Sequence, residues 1–217
     1  MTDFSALRRM MVDTQIRPSD VTKYPIIEAM LAVPRETFVP DAQTEVAYAD
    51  QNVPLGAQRV VPEPRTLAKM LDALDVCEDE LVLDVGCGLG YSTAVVARLA
   101  QMVIGVEEDE QLASEAQDLL SESNADNAIV HEGTLAAGAA EHGPYDVILI
   151  QGGIEVLPAE ILAQLKDGGR IAALFMDGAL GEVKIGYKSD DRVSWRFEFN
   201  AGAPVLPGFA KAPEFAL

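Results

Sequence analysis

Basic residues are scarce in this chain, whose 217 residues carry 16 Lys+Arg against 35 Asp+Glu, a formal net charge of −19. Nucleic-acid binders draw most of their affinity from Lys and Arg set against phosphates, so this balance excludes DNA or RNA as the expected partner. The same surplus of acid disfavours docking on an anionic membrane. Histidine and cysteine are scarcer still, with two of each. Cys77 and Cys87 make neither a disulfide framework nor a metal-ligand spacing, and with only His131 and His142 to join them no metal is expected. No hydrophobic run approaches the length of a membrane span, and the opening MTDFSALRRMMVDTQIRPSD lacks the apolar stretch of a signal peptide. The cytoplasm is therefore the expected compartment.

What is present is a globular composition, 49% hydrophobic and 24% charged, in a length suited to one domain with a small appendage. The pattern changes near residue 80. Residues 1–79 read as a helical and irregular region, with helices over Phe4–Gln15, over Tyr24–Leu31 after a cap at Ser19 or Asp20, and over Arg65–Leu74. Between the last two lies a long proline-punctuated stretch, Arg35–Pro64, with no clear period. Loops of that length in compact domains are usually functional. Residues 80–217 alternate strand and helix: strands at Leu81–Val85, Met102–Val106, Ala128–Val130, Tyr145–Ile150 and Arg170–Phe175, helices at Tyr91–Ala100, Asp109–Ser121 and Ile161–Leu165, the last closed by Gly168-Gly169. Such alternation implies an α/β fold, a doubly wound and mostly parallel sheet covered on both faces. Glu182–Tyr187 and Val193–Phe199, flanking Ser189-Asp190-Asp191, add an antiparallel hairpin at the sheet edge, and Pro204–Leu217 reads as irregular coil.

The most informative segment is Leu83-Asp84-Val85-Gly86-Cys87-Gly88-Leu89-Gly90-Tyr91. Gly86, Gly88 and Gly90 let the backbone turn sharply after a strand and let a ligand approach closely, and the following helix N-terminus then faces that ligand. A dinucleotide fingerprint requires glycine three residues after Gly88, where this chain has Tyr91. A pyrophosphate is thus not demanded, and Asp84 would repel one. Cys87, inside the turn, reads as a small buried residue. Glu107 ends the next strand, and in a doubly wound sheet neighbouring strand ends line one crevice, so its carboxylate is placed to accept a ribose diol. Glu132, followed by Gly133 after the third strand, is the candidate for an adenine amino group. Together these groups describe a pocket for adenosine with a positively charged tail, which suits S-adenosylmethionine.

At this point the chain resembles a known family. The core is similar to class I S-adenosylmethionine-dependent methyltransferases, with a Rossmann-like sheet. The N-terminal third resembles protein-L-isoaspartate O-methyltransferases through Val33-Pro34-Arg35-Glu36-Thr37-Phe38-Val39-Pro40, Ala47-Tyr48-Ala49-Asp50 and Val53-Pro54-Leu55-Gly56. Tyr145-Asp146-Val147-Ile148 and Gln164-Leu165-Lys166-Asp167-Gly168-Gly169-Arg170 resemble the family's fourth strand and closing turn. The resemblance implies methyl-esterification of isoaspartyl carboxylates in damaged proteins, with S-adenosylhomocysteine as product, and it makes residues 1–79 the acceptor side and residues 80–217 the cofactor core. It also exposes departures. Where the family reads close to QGQTISQP after the glycine, this chain has Ala57-Gln58-Arg59-Val60-Val61-Pro62-Glu63-Pro64. Pro62 stands where the family has the serine associated with catalysis, Val60 replaces its threonine and Glu63 its glutamine. Gln151-Gly152-Gly153 replaces a TAA-like stretch. The expected cofactor residues are Asp84, Gly86, Cys87, Gly88, Gly90, Tyr91, Glu107, Glu132 and Gly133, and the acceptor loop is Arg59, Val60, Pro62 and Glu63. The altered loop leaves two alternatives open: a same-fold methyltransferase on another acceptor, peptide or small molecule, and a cofactor-binding homologue without isoaspartyl activity.

Overall fold

The computed structural model describes residues 2–56, 58–190 and 192–212. Ala57, Asp191 and the last five residues of the expected C-terminal coil lie outside the described residues. The chain opens with α1 (Phe4–Met11), which continues through a widened π turn, Val12–Ile16, and a 3₁₀ turn, Arg17–Ser19. The second helix, α2 (Tyr24–Ala32), starts later than its expected cap: Asp20 is left-handed, at φ 67°, and Lys23 precedes the helix without a side-chain cap. Pro25 explains this, since a proline in the first turn removes an N–H that a cap would otherwise have to satisfy. The stretch without a period is made of short turns and a hairpin, β1 (Val53–Gly56) with β2 (Arg59–Val61), forming a separate two-stranded sheet. Then α3 (Pro64–Leu74) buries Leu67, Met70, Leu71 and Leu74, the face its spacing predicts.

The main sheet holds β3 (Leu81–Val85), β4 (Met102–Glu107), β5 (Ala128–Glu132), β6 (Tyr145–Ile154), β7 (Leu165–Asp177), β8 (Leu180–Ser189) and β9 (Arg192–Asn200) in the spatial order 5-4-3-6-7-8-9. The first five strands pair in parallel, and β8 and β9 extend the sheet antiparallel. The helices α4 (Tyr91–Ala97), α5 (Glu110–Glu122) and the short α6 (Ala159–Ala163) complete the crossovers. One expectation is corrected: Gly168-Gly169 do not close a helix. The helix stops at Ala163 and the strand already runs from Leu165, with Gly168 at φ 79° inside it and an irregular register against β6. A glycine in that conformation lets a strand kink without ending.

Side-chain alternation along the strands divides the interior into two cores. Val82, Val103, Val147, Leu149, Ala172 and Leu174 face the N-terminal helices, α3 and α4. Leu83, Val85, Ile104, Val106, Ile148, Ile150, Ile171 and Ala173 face α6 and the C-terminal segment, where Leu206 and Phe209 are buried. The N-terminal region therefore shares a core with one sheet face. No helix of the described residues is long and apolar enough to cross a membrane.

Candidate active site

The crevice forms where β3 and β4 end side by side. Gly86 and Cys87 both donate their backbone N–H to the Val106 carbonyl, at 2.9 and 3.2 Å, which folds the turn after β3 back onto β4. Gly86, Gly88 and Gly90 all have positive φ, the conformation that the glycine spacing predicted. Glu107, fully buried at the end of β4, accepts the Gly88 N–H at 2.9 Å, the Glu108 N–H at 3.0 Å and the Asp109 N–H at 3.2 Å. Glu132 lies opposite Glu107 in the β4–β5 register and is exposed, and the Gly133 N–H donates to the Glu107 carbonyl at 3.0 Å. The sequence-predicted groups Gly86, Gly88, Glu107, Glu132 and Gly133 are thus brought to one rim.

Asp84 is turned inward. Its carboxylate accepts from Ser92 Oγ at 2.6 Å, Thr93 Oγ1 at 2.7 Å and Gln151 Nε2 at 2.9 Å, so both oxygens brace the turn against α4 and β6. Burial raises its pKa above the ordinary carboxylate value, and those three hydrogen bonds oppose the rise. Gln151, one of the departures from the family pattern, lies inside β6 and is therefore a partner of the glycine turn. Its replacement by alanine is expected to lower stability by about 1.5–3 kcal/mol, the range for a hydrogen bond to a charged group. Urea unfolding reads this as a lower midpoint at unchanged slope, and an unmoved midpoint would remove Gln151 from that role. Burial, with Asp84 and Glu107 nearby, pushes the Cys87 thiol well up, in keeping with an inert packing residue. Tyr91 packs its buried ring under the Arg35 guanidinium, 4.7 Å from the centroid, and its hydroxyl has no hydrogen-bond partner among the described residues.

The acceptor loop lies against this turn. Val60, Val61 and Pro62 share with Gly86, Cys87, Tyr91, Ser92 and Gln151 a cavity of about 10 Å³, room for about one water. A larger cavity, about 600 Å³, lies elsewhere, between the end of α2, the end of α4 and the end of α5. Arg59 packs against the glycine turn, its Nη2 3.4 Å from where a Cβ on Gly86 would stand. Its Nη1 and Nη2 donate to Glu107 Oε1 and Oε2 at 2.8 and 2.7 Å, with side-chain exposures of 4% and 0% for the two residues. Sequence reasoning placed Arg59 in the acceptor loop and Glu107 in the cofactor site. Nothing in their separation in the chain signals that the two meet. Glu63 is not aimed into the crevice as an unshielded charge: its Oε1 accepts from Arg65 Nη2 at 2.9 Å and Thr66 Oγ1 at 2.8 Å, at the start of α3. Arg35, inside the VPRE segment but not singled out there, is fully buried and anchors the loop, donating to the Ala47 carbonyl at 2.6 Å and the Pro62 carbonyl at 2.8 Å.

Both histidines also meet one carboxylate. His131 Nδ1 and His142 Nε2 lie 3.3 and 3.4 Å from Glu141 Oε1, and one ligand atom from each of the three residues falls within 4.8 Å of the others. No metal was expected from the sequence, which left the two histidines unrelated because they lie on different elements.

The fit of the crevice to an adenosine cofactor can be judged from Glu107. It presents two carboxylate oxygens side by side to a two-donor fork, the arrangement a vicinal ribose diol also offers, and in the glycine turn beside it Leu55 lies against Gly88 while Arg59 and Leu206 lie against Gly86. The residues fit the group, and the room beside the glycines is held by Arg59 and Leu55 of the β1–β2 hairpin and by Leu206.

The topology, the glycine turn and the acid ending the second strand of the sheet define a Rossmann-like, class I methyltransferase fold. The family model described as protein-L-isoaspartate(D-aspartate) O-methyltransferase matches residues 7–191. Among curated relatives, the protein-L-isoaspartate O-methyltransferase of Syntrophus aciditrophicus is 39% identical over 171 residues, covering 79% of this chain and 78% of its own. That of Pelobacter propionicus, numbered 2, is 32% identical over 204 residues, covering 90% and 91%. The chain belongs to the protein-L-isoaspartate O-methyltransferase family. Among solved structures, one protein-L-isoaspartate O-methyltransferase superposes with a TM-score of 0.79 at 22% identity, over 94% of this chain and 66% of that one. A Plasmodium falciparum structure described under the same activity, in complex with S-adenosyl-L-homocysteine, gives 0.78 at 17% identity over 95% and 99%.

Proposed function

We propose that this chain is an S-adenosylmethionine-dependent carboxyl O-methyltransferase that acts on isoaspartyl residues of proteins or peptides in the cytoplasm. The observation that carries the cofactor half is Glu107, which holds two oxygens toward the crevice at the end of β4. Glu107 would hold the ribose hydroxyls, Glu132 the adenine amino group, and the Gly86–Gly88 backbone the close approach that a side chain would block. When bound, S-adenosylmethionine supplies an electrophilic methyl group on a sulfonium.

The acceptor half is supported by what lines the crevice. Its walls are Val60, Val61, Pro62, Leu67, the glycine turn, Tyr91, Ser92 and Gln151, and the one thiol there is pushed well above its ordinary pKa. An amine acceptor has to lose a proton to a base, whereas a carboxylate, with an unperturbed pKa near 4, is ionised at pH 7. The walls then need only align the reacting atoms, and such positioning supplies roughly 7–11 kcal/mol. The names of the curated relatives specify isoaspartate as the carboxylate. Charge supports the same choice against nucleic acid, since a net charge of −19 repels phosphates.

Calorimetry with S-adenosylhomocysteine, followed by turnover with an isoaspartyl peptide, the matching aspartyl peptide and no peptide, tests the reading. Binding is expected, with turnover confined to the isoaspartyl peptide. A preference for NAD over S-adenosylhomocysteine overturns the pocket. Turnover that is equal with and without peptide overturns the acceptor.

A further inference from the structure

Arg59 and Glu107 depend on each other unequally. Without the guanidinium, Glu107 keeps the N–H groups of Gly88, Glu108 and Asp109. Arg59 has no such reserve: apart from the two bonds to Glu107, its buried Nε has no partner among the described residues. A buried donor without an acceptor is a standing penalty, and here it belongs to a cation packed against the glycine turn. The carboxylates of the glycine strand and of the loop are engaged: Asp84 by Ser92, Thr93 and Gln151, and Glu63 by Arg65 and Thr66. Arg59 is carried by β1–β2, which shares no ladder with the seven-stranded sheet and turns through left-handed Gly56 and Gln58. Moving the Arg59 side chain off Glu107 therefore breaks no ladder of the main sheet.

We propose that Arg59 is a gated acceptor-binding residue. While the crevice is empty it holds Glu107. Once Glu107 is given over to a ribose diol, the freed fork and the unpartnered Nε bind the carboxylate of the methyl acceptor. This rests on the cofactor reading above and adds to it an order of events and a specificity: the anion site does not exist until the cofactor site is filled, and it selects anionic acceptors. An arginine is suited to the task because its planar fork matches a carboxylate with two parallel, charge-assisted hydrogen bonds. It supplies the donors that Pro62, with neither hydroxyl nor N–H, does not. The competing fate for the freed guanidinium is Glu132, exposed and in register with Glu107.

The test is calorimetry on the full chain and on Arg59→Gln, with S-adenosylhomocysteine and an isoaspartyl peptide as probes, after thermal melts show both proteins folded. The parent is expected to bind the peptide only with S-adenosylhomocysteine present. Arg59→Gln is expected to bind S-adenosylhomocysteine about ten-fold tighter or more, because the closed state no longer lowers the competent fraction. The peptide's affinity for the Arg59→Gln complex is expected to fall about ten-fold or more, one charge-assisted bond being of that order. Unchanged or weaker S-adenosylhomocysteine binding by Arg59→Gln overturns the gate. Equal peptide binding by the two complexes, or none by the parent complex, overturns the acceptor role and leaves Arg59 to Glu132 or solvent. If neither protein binds S-adenosylhomocysteine, the cofactor reading itself fails, an outcome distinct from the other two.

Discussion

Glu107→Ala is expected to lower folding stability by about 3–5 kcal/mol, the range for removing one partner of a buried ion pair. The variant strands the Arg59 guanidinium, 4% exposed and with no partner at Nε among the described residues, without its two charge-assisted bonds. It also takes the acceptor away from the N–H groups of Gly88, Glu108 and Asp109. Urea unfolding of the cofactor-free protein measures the loss. Arg59→Ala combined with Glu107→Ala is expected to recover part of it, because the unpaired cation is then gone, and a double-mutant cycle isolates the coupling. A single-variant loss of about 1 kcal/mol or less, the range of exposed pairs, would show that Arg59 swings into water at little penalty. Glu107→Ala is also expected to weaken cofactor binding by about ten-fold or more for each hydrogen bond lost, so affinities have to be compared in variants shown to be folded.

The second large effect concerns the loop. Pro62→Ser with Glu63→Gln is expected to raise methylation of isoaspartyl peptides by ten-fold or more, since a single missing transition-state donor accounts for about 10²–10³ in rate in oxyanion-type sites. Pro62 lines the small cavity beside Gly86 and Gln151, and its carbonyl is fixed by Arg35, so a serine hydroxyl there would stand on an anchored backbone. The greater share of the gain is assigned to the serine. Glu63 already has its charge drawn to Arg65 and Thr66, so Glu63→Gln alone is expected to change the rate less. Initial rates of S-adenosylhomocysteine formation check both. An unchanged rate in the double variant, with cofactor binding intact, would show that the loop position is dispensable in this chain.

These expectations separate what the sequence could disclose from what it could not. The parallel sheet was legible because each strand from Leu81 to Phe175 is a short apolar run between turn signals, and its period of two places Val82 and Leu83 in different cores. The glycine turn was legible because three positive-φ positions leave three glycines in the text. The hairpin of β1 and β2 was not. It has four residues in one strand and three in the other, too few for a period to show, and a proline in the first. The start of α2 at Tyr24 was legible but its cap was misassigned: Ser19 and Asp20 look like caps, whereas Ser19 donates to the Gln15 carbonyl and Pro25 makes a side-chain cap unnecessary. For the candidate site, Glu107 could be placed from topology alone, since strand ends line the crevice of such a sheet. Its pairing with Arg59 is a contact between two units far apart in the chain, and no local pattern encodes it.

Gly152 and Gly153 have a consequence for the far end of the polypeptide. A Cβ at Gly152 would stand 2.5 Å from Leu206, and one at Gly153 would stand 2.8 Å from the Ala203 carbonyl. The two glycines therefore admit the C-terminal segment flush against β6, where Gly153 donates to the Pro204 carbonyl and accepts from the Leu206 N–H. Leu206 and Phe209, at 2% and 0% exposure, then close the second core beside the glycine turn. Truncation before Pro204 is thus a core deletion, removing two side chains each worth about 1.5–3 kcal/mol of burial. For fusion or tagging, the usable end of this chain begins only after Phe209.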